Sequence, residues 1–465
     1  SLPLQLHGDN VPEVLEVRGE IVMPRSVFDA FNEQRRAHGE DVWANPRNAA
    51  AGALKLLDPK KVAERRLAIY FYVVAEDSSN GFDAQYDSFE FMRALGLPTI
   101  EYYQRCCSCD EICAFVEKVN SMRETLPYDI DGVVIKLDDM TQHDALGATR
   151  KHPRWAEVYK FNAKRASTHL KTITVQLGRT GTVTPVAELV PVFLDGSTIS
   201  RATLHNEEEI QKKDIRIGDS VIIEKGGDII PKVVEVNIAE RPEGTSVWSM
   251  PVECPSCGTP LVRVDEEVAV RCPNTGGCPE QLLRRIAFFA SKHAFDVEHL
   301  GEKVVEQLVN KGLVRTYSDI YILTREELLQ LEGFKEKSAD NVLASIEKSK
   351  DITLTSFIMG LGIQYVGSGT AELIATCILS IENLFSLTEE NLLDIDGIGP
   401  KVAHAVIGYL SSEENVAEVC RLLERGVTPR PVEAVAAEDH LFNGKTFVLT
   451  GTLPTYSRAE AAKLI

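Results

Sequence analysis

Apolar and polar positions change rhythm several times along the chain, and each change marks a different kind of element. From residue 1 to about 164, strand-like runs (Val14-Leu15-Glu16-Val17, then Ala68-Ile69-Tyr70-Phe71-Tyr72-Val73-Val74) alternate with segments of helical spacing at Val27–Ala37 and Ser108–Met122, which predicts an α/β mixture. From 165 to 250 the apolar residues come in β-branched runs parted by glycine turns: Ile173-Thr174-Val175, Val183-Thr184-Pro185-Val186 and Ser220-Val221-Ile222-Ile223. About five strands in that length predict a small closed barrel of the OB type. A cysteine-bearing stretch fills 251–281. Residues 282–427 return to helical spacing interrupted by glycine turns, and a Pro-, Ala- and Glu-rich stretch over 428–439 reads as a linker. A new strand, Lys445-Thr446-Phe447-Val448-Leu449, opens a last segment, 440–465.

Length and charge narrow the function classes. With 465 residues the chain exceeds a single core, so a multidomain α/β and α+β protein is expected. No apolar run approaches bilayer length, and no membrane partner is expected. The net charge of -19 excludes nucleic-acid binding through a general positive field, but not through local basic groups or backbone amides. Ten cysteines in a chain of this size, with no leader-like start, read as reduced thiols or metal ligands in a cytoplasmic setting. Ser1 at one end and Ile465 in mid-pattern at the other give both ends the look of cuts.

Four of those cysteines have a chemistry of their own. Cys254-x2-Cys257, followed by Cys272 and Cys278 with glycines and prolines between them, is the spacing of a closed four-thiolate Zn²⁺ knuckle. Such a site leaves no open coordination position, so its role is structural. The second group, Cys106, Cys107, Cys109 and Cys113, is too crowded for one tetrahedral ion. Ser108 and Glu111 within it spell a helix-start capping box instead.

Glycine turns followed by a helix recur in 282–427: Leu300-Gly301-Glu302-Lys303, Leu331-Glu332-Gly333-Phe334-Lys335, Leu361-Gly362-Ile363 through Val366-Gly367, and Ile395-Asp396-Gly397-Ile398-Gly399-Pro400-Lys401. They resemble helix-hairpin-helix elements, whose exposed amides take a phosphate oxygen without reading a base. One copy alone could be a helical bundle with glycine caps. Repetition favours non-specific DNA binding through Gly333, Gly367, Gly397 and Gly399. His299 stands where the first copy would carry a glycine.

Three segments of the first 164 residues resemble the nucleotidyltransferase motifs of DNA ligases: Glu16-Val17-Arg18-Gly19-Glu20, Asp129-Ile130-Asp131-Gly132-Val133-Val134-Ile135-Lys136, and Trp155 through Tyr159-Lys160-Phe161. Asn45-Pro46-Arg47-Asn48-Ala49-Ala50-Ala51-Gly52 is similar to a spacer of the bacterial NAD-dependent family, and the order barrel, tetracysteine, hairpins and BRCT-like start completes the resemblance. The resemblance implies a partial nucleotidyltransferase domain (1–164), OB-fold (165–250), zinc finger (251–281), helix-hairpin-helix domain (282–427) and truncated BRCT domain (440–465). It implies a ligase that uses NAD, Mg²⁺ and Zn²⁺ and acts as a monomer on nicked double-stranded DNA in replication and repair. Lysine adenylation, AMP transfer to the 5′-phosphate and attack by the 3′-hydroxyl are its implied steps. Glu20 is implied at the AMP ribose, and Lys136 and Lys160 at the phosphate with Asp131 and Arg47 near them. Arg179, in Gln176-Leu177-Gly178-Arg179-Thr180-Gly181, is implied in a DNA-facing loop.

The family's nucleophile lies in Lys-x-Asp-Gly. The three Asp-Gly pairs here, at Asp131, Asp195 and Asp396, follow Asp129, Phe193 and Asp394 by two positions, so none carries the lysine. The expectation is a fragment without the N-terminal domain and without self-adenylation. Lys55 for arginine and Asn162 for proline are smaller departures. A non-catalytic DNA-binding scaffold is the competing reading. The spacing of Glu20, Lys136 and Lys160 weighs against it.

Overall fold

The computed structural model describes residues 2–8, 11–77, 81–149, 152–194, 196–226, 230–263 and 268–432. They form two units: Ser1–Thr174 with Val186–His205 and Glu209–Trp248, and Val175–Pro185 with Asn206–Glu208 and Ser249–Ile465. The expected BRCT start and residues 433–439 of the expected linker lie outside the described residues.

In the first unit, β1 (Leu15–Val22) and β2 (Ala68–Asp77) pair antiparallel, with Glu20 opposite Tyr70. Phe71 of β2 is buried with Phe89 and Met92 of helix Gln85–Ala94. A second ribbon joins β3 (Gly132–Lys136) to β4 (Ala156–Lys160), again antiparallel. Val133 packs against Val116 and Val119 of helix Cys109–Met122. Ser108 caps that helix by accepting from Glu111 N–H, as its sequence promises. The Glu111 carboxylate, however, accepts from the Cys107 N–H at 2.7 Å, one residue earlier than a capping box would have it.

The barrel has the expected five strands: β5 (Arg165–Leu177), β6 (Thr182–Leu194), β7 (Ser197–Thr203), β8 (Ser220–Gly226) and β9 (Ile230–Val236). The sheet order β6-β5-β8-β9-β7 closes by pairing β7 with β6. Leu170, Ala187, Leu189, Val221 and Ile223 fill it. Fully buried Asp219 is held by Arg241 Nε at 2.9 Å and by the Arg216 N–H at 2.7 Å, which compensates the burial of a carboxylate. β5 and β6 are 13 residues each, longer than their apolar runs suggested.

The second unit contains residues 175–185 of that hairpin, the cysteine knuckle and the helices. Its short strands β10 (Val262–Arg263) and β11 (Val270–Arg271) pair with each other, and β11 pairs with Val183 and Thr182. Residues 175–185 and 206–208 of the barrel segment pack with the knuckle and helices. The helical core is built on stacked rings, Phe289 lying 3.8 Å from Phe295 and 4.9 Å from Tyr317 between centroids. Residues 428–430 are not linker, as their composition suggested. They form a parallel pair with 351–353, because Pro429 is buried there and Thr428 N–H donates to Lys350 O at 2.7 Å.

Candidate functional site

Directly paired residues in a ribbon share a face, and so do residues two apart along a strand. Gly132 faces Lys160 and Lys136 faces Ala156, so Lys136, Val134, Val158 and Lys160 all lie on one side of the β3–β4 ribbon. The other side carries Val133 to its helix. Between the two lysines, Val134 and Val158 remain about half exposed, an apolar shelf with a cation at each end. Gly132 is required by close approach: a Cβ there would stand 2.3 Å from Tyr159 O. The residue before it, Asp131, turns its carboxylate to Lys160 at 3.6 Å, with both side chains half exposed, and accepts from Phe161 N–H through its carbonyl.

Lys136 leaves the ribbon for β2. Its Nζ donates to Tyr72 O at 2.9 Å and lies 5.5 Å from the Tyr72 ring centre and 5.8 Å from that of Phe89. Burial brings its pKa from 10.5 down to about 8. The amine sits in the wall of a cavity of about 930 Å³ whose aromatic lining includes Tyr103, Phe115 and Tyr128. Tyr70, on the same strand as Tyr72, is the cross-strand partner of Glu20, and the register shift between Arg18 and Gly19 leaves Tyr72 as the bulged residue between them. Arg47 projects, exposed, from the first turn of helix Pro46–Leu54, whose cap Asn45 accepts from Asn48 N–H at 2.7 Å. Among the described residues Arg47 has no ion-pair partner and joins none of the other four.

In the second unit the four sulfurs of Cys254, Cys257, Cys272 and Cys278 lie within 4.8 Å of one another. Cys254 and Cys278 Sγ are 3.9 Å apart, and Cys257 and Cys272 Sγ are 3.6 Å apart. A tetrahedron with Zn–S bonds of about 2.3 Å needs sulfurs about 3.8 Å apart, so the residues fit the metal. Gly258 takes φ +70° as the first knuckle turns, and its N–H donates to Cys254 O. Burial pushes the Cys272 thiol up to about 12 in the absence of metal, whereas hydrogen bonds from Thr259 bring Cys257 down to about 6. Binding zinc therefore means displacing protons from the buried members.

The glycine turns share one backbone geometry. In each, a residue of positive φ comes two positions before a helix cap: His299 (+68°) before Gly301, Gly333 (+81°) before Lys335, Tyr365 (+64°) before Gly367, and Gly397 (+91°) before Gly399. His299, which stands in place of a hairpin glycine, thus takes the same positive-φ backbone conformation. In the third turn Tyr365 does so, a residue the sequence did not single out. Three of these helix starts, at Gly301, Gly367 and Gly399, have no side-chain cap, whereas at the second the Lys335 N–H donates to Ser338 Oγ at 2.7 Å. Neighbouring helices have side-chain caps, from Thr324, Thr353, Thr388 and Ser412. Gly301, Gly333, Gly367 and Gly399 open onto empty space, with nothing within 4 Å of a Cβ position. Arg179 is half-buried, its guanidinium over the Phe288 ring at 3.8 Å.

Comparison with known proteins adds the family context. Residues 1–164 match the NAD-dependent DNA ligase adenylation domain, 167–245 the NAD-dependent DNA ligase OB-fold domain, and 253–279 the NAD-dependent DNA ligase C4 zinc finger domain. Residues 292–348 match a SAM-like helix-hairpin-helix tandem and 356–419 a helix-hairpin-helix motif. A DNA ligase of Protochlamydia amoebophila is 53% identical over all 465 residues, which span 70% of that protein. A Bacillus subtilis DNA ligase is 45% identical across 99% of the chain and 69% of its own length. For one from Geobacter metallireducens the figures are 44%, 100% and 69%.

Proposed function

Because the chain belongs to the NAD-dependent DNA ligase family, we propose that its β3–β4 face and β1–β2 ribbon form one wall of an AMP site, while its hairpins hold the backbone of nicked duplex DNA. NAD supplies the adenylyl group of the ligase reaction when bound. Lys136 and Lys160 flank the phosphate, Asp131 orients Lys160 through their ion pair, and Glu20 accepts from the ribose. Arg47 is the further cation that the resemblance implies near the AMP phosphate. Mg²⁺ enters with the substrate phosphates in this reading. The observation that carries this reading is the pair of lysines on one ribbon face: a scaffold without nucleotide chemistry has no need of a half-buried amine at that position. None of the ten cysteines forms a disulfide, which supports a cytoplasmic protein, and we read it as a monomer.

Lys136 gives the reading a pH signature. Its amine is charged below about 8 and neutral above. A bound phosphate favours the charged form and raises the pKa, so AMP binding near pH 8 should take up protons and weaken as pH rises further. Without nucleotide the sign for stability is the opposite: between about 8 and 10.5 the unfolded chain binds the proton better, and stability should rise with pH. Calorimetric AMP titrations in buffers of different ionisation enthalpy check this, and proton release on binding would contradict it.

The hairpins should bind nicked duplex without base preference and with strong salt weakening. Substituting valine at Gly397 and Gly399 should lower affinity about tenfold for every sequence alike, since side chains would cover the amides and Gly397 would be strained at its positive φ. Fluorescence anisotropy against several unrelated nicked duplexes tests it. A marked preference for one sequence argues against phosphate-only recognition.

A further inference from the structure

Among the described residues Arg179 is an arginine without a counter-ion, in a chain of net charge -19. Other arginines of the second unit find oxygen partners: Arg263 reaches Glu207, Arg284 reaches Glu280, Arg325 reaches Asp340, Arg421 reaches Glu418, and Arg271 donates to Thr182 Oγ1 at 2.7 Å. Among the described residues no carboxylate pairs with Arg179. Its Nε is buried without a hydrogen-bond partner, and burial pulls its pKa below the usual arginine value. A guanidinium kept this way forfeits hydration along one edge, and the ring beneath it returns only part of that.

The structure holds it there by several contacts. Arg179 sits at the hairpin turn that continues through Gly181, whose φ is +80° and whose carbonyl accepts from Cys272 N–H at 2.8 Å. A Cβ on Gly181 would stand 2.4 Å from Cys272 O, so this turn is pressed against the zinc knuckle. Phe288, under the guanidinium, comes from helix Pro279–Ala290, which begins at the last zinc cysteine. Its neighbour Phe289 is fully buried in the core, whereas Phe288 is half-buried and outside the core cluster. Phe288 Cδ1 comes 3.9 Å from the Cβ position of Gly362, in the third hairpin. Guanidinium, ring and hairpin turn therefore lie side by side.

We propose that Phe288 is a positioning residue for Arg179, holding its guanidinium flat beside the third hairpin so that the unpaired Nη edge meets a backbone phosphate of duplex DNA. The proposal rests on the DNA-binding reading above and adds a fifth, cationic contact to the hairpin amides. A planar ion over an aromatic face keeps its edge free for an in-plane bidentate contact, which a lysine ammonium cannot reproduce. The ring replaces a carboxylate partner that would have neutralised the charge. Arg179 thereby joins the expected DNA contacts in a specific geometry, and Phe288 enters with no sequence signal beyond its place in an amphipathic helix.

The test is binding of the 465-residue chain to nicked duplex across a salt series, with zinc content and melting temperature measured for every variant. Arg179→Ala should weaken binding about tenfold and reduce the slope of log affinity against log salt by about 0.9, the signature of one lost phosphate contact. Phe288→Leu should lose a large part of the same affinity, Phe288→Tyr should bind like the parent, and Arg179→Lys should fall in between. In the Arg179→Ala background, Phe288→Leu should cost nothing further. An equal loss in that background would overturn the positioning role, as would parental affinity and slope in both single variants, while leaving DNA binding intact. A parent chain showing no salt-dependent binding would overturn the DNA reading and the proposal with it.

Discussion

After incubation with NAD and Mg²⁺, the 465-residue chain should show no AMP-sized mass increment. The adenylyl step needs an amine in line with the pyrophosphate, and no Lys-x-Asp-Gly occurs in these residues. Lys136 is the tempting substitute, because its pKa of about 8 leaves an appreciable neutral fraction at neutral pH. Its geometry argues otherwise. The Nζ is tied to Tyr72 O and lies against two rings, the arrangement of a cation held for a phosphate and not of a nucleophile with a clear trajectory. Joining the chain to an upstream segment bearing the motif should restore both the adduct and nick sealing. In that longer protein, Glu20→Ala, Lys136→Ala and Lys160→Ala should each reduce sealing by roughly two to three orders of magnitude, the scale for losing an electrostatic partner of a transition state. Zinc content should not change. Intact-mass spectrometry reads the adduct, and an increment on the 465-residue chain would reassign the nucleophile to Lys136 or Lys160.

Zinc removal should be nearly as severe, but in stability. One ion per chain is expected, and a strong chelator or Cys257→Ser should unfold the knuckle. Binding free energies of roughly 10–16 kcal/mol in isolated zinc-finger peptides set the scale of what the metal contributes. The damage should spread, because Cys278 is both a ligand and the cap of helix Pro279–Ala290, which carries Ile286 and Phe289 into the helical core. It should also reach the hairpin turn at Gly181 through its hydrogen bond with Cys272. Elemental analysis with thermal melts, before and after chelation, measures both effects. A purified, reduced chain without zinc but with an intact melt would defeat the assignment.

The parts legible in the sequence were those written in local chemistry. Cysteine spacing identifies the thiolate cluster because each pair must close a short knuckle. The β-branched runs parted by glycine turns predict about five strands, and five form. The tetrapeptide Asp-Ile-Asp-Gly occurs twice, and only its surroundings separate the copies: at 129–132 a β-branched run continues it as β3, while at 394–397 Ile-Gly-Pro leads into a helix. What stayed hidden depends on contacts between distant residues. Nothing near Arg179 announces Phe288 more than a hundred positions away. Tyr72 acts through a carbonyl, which every residue has. Tyr365 shares its backbone conformation with Gly333 and Gly397 although its side chain disguises the repeat. Residues 428–430 look like linker because their partner strand at 351–353 cannot be inferred from composition.

The uncapped hairpin helices also describe a compromise between durability and use. A Ser, Thr or Asp at a helix start is worth about 1 kcal/mol, and four neighbouring helices take that gain. At Gly301, Gly367 and Gly399 the chain forgoes it, leaving amides hydrated when alone and available when a phosphate arrives. Any design that ranks substitutions by folding free energy would fill these positions first. An aspartate there would satisfy the amides permanently and set a negative charge where the polyanion must sit. The most attractive sites for making this protein sturdier are thus the ones where sturdiness would make it let go of DNA.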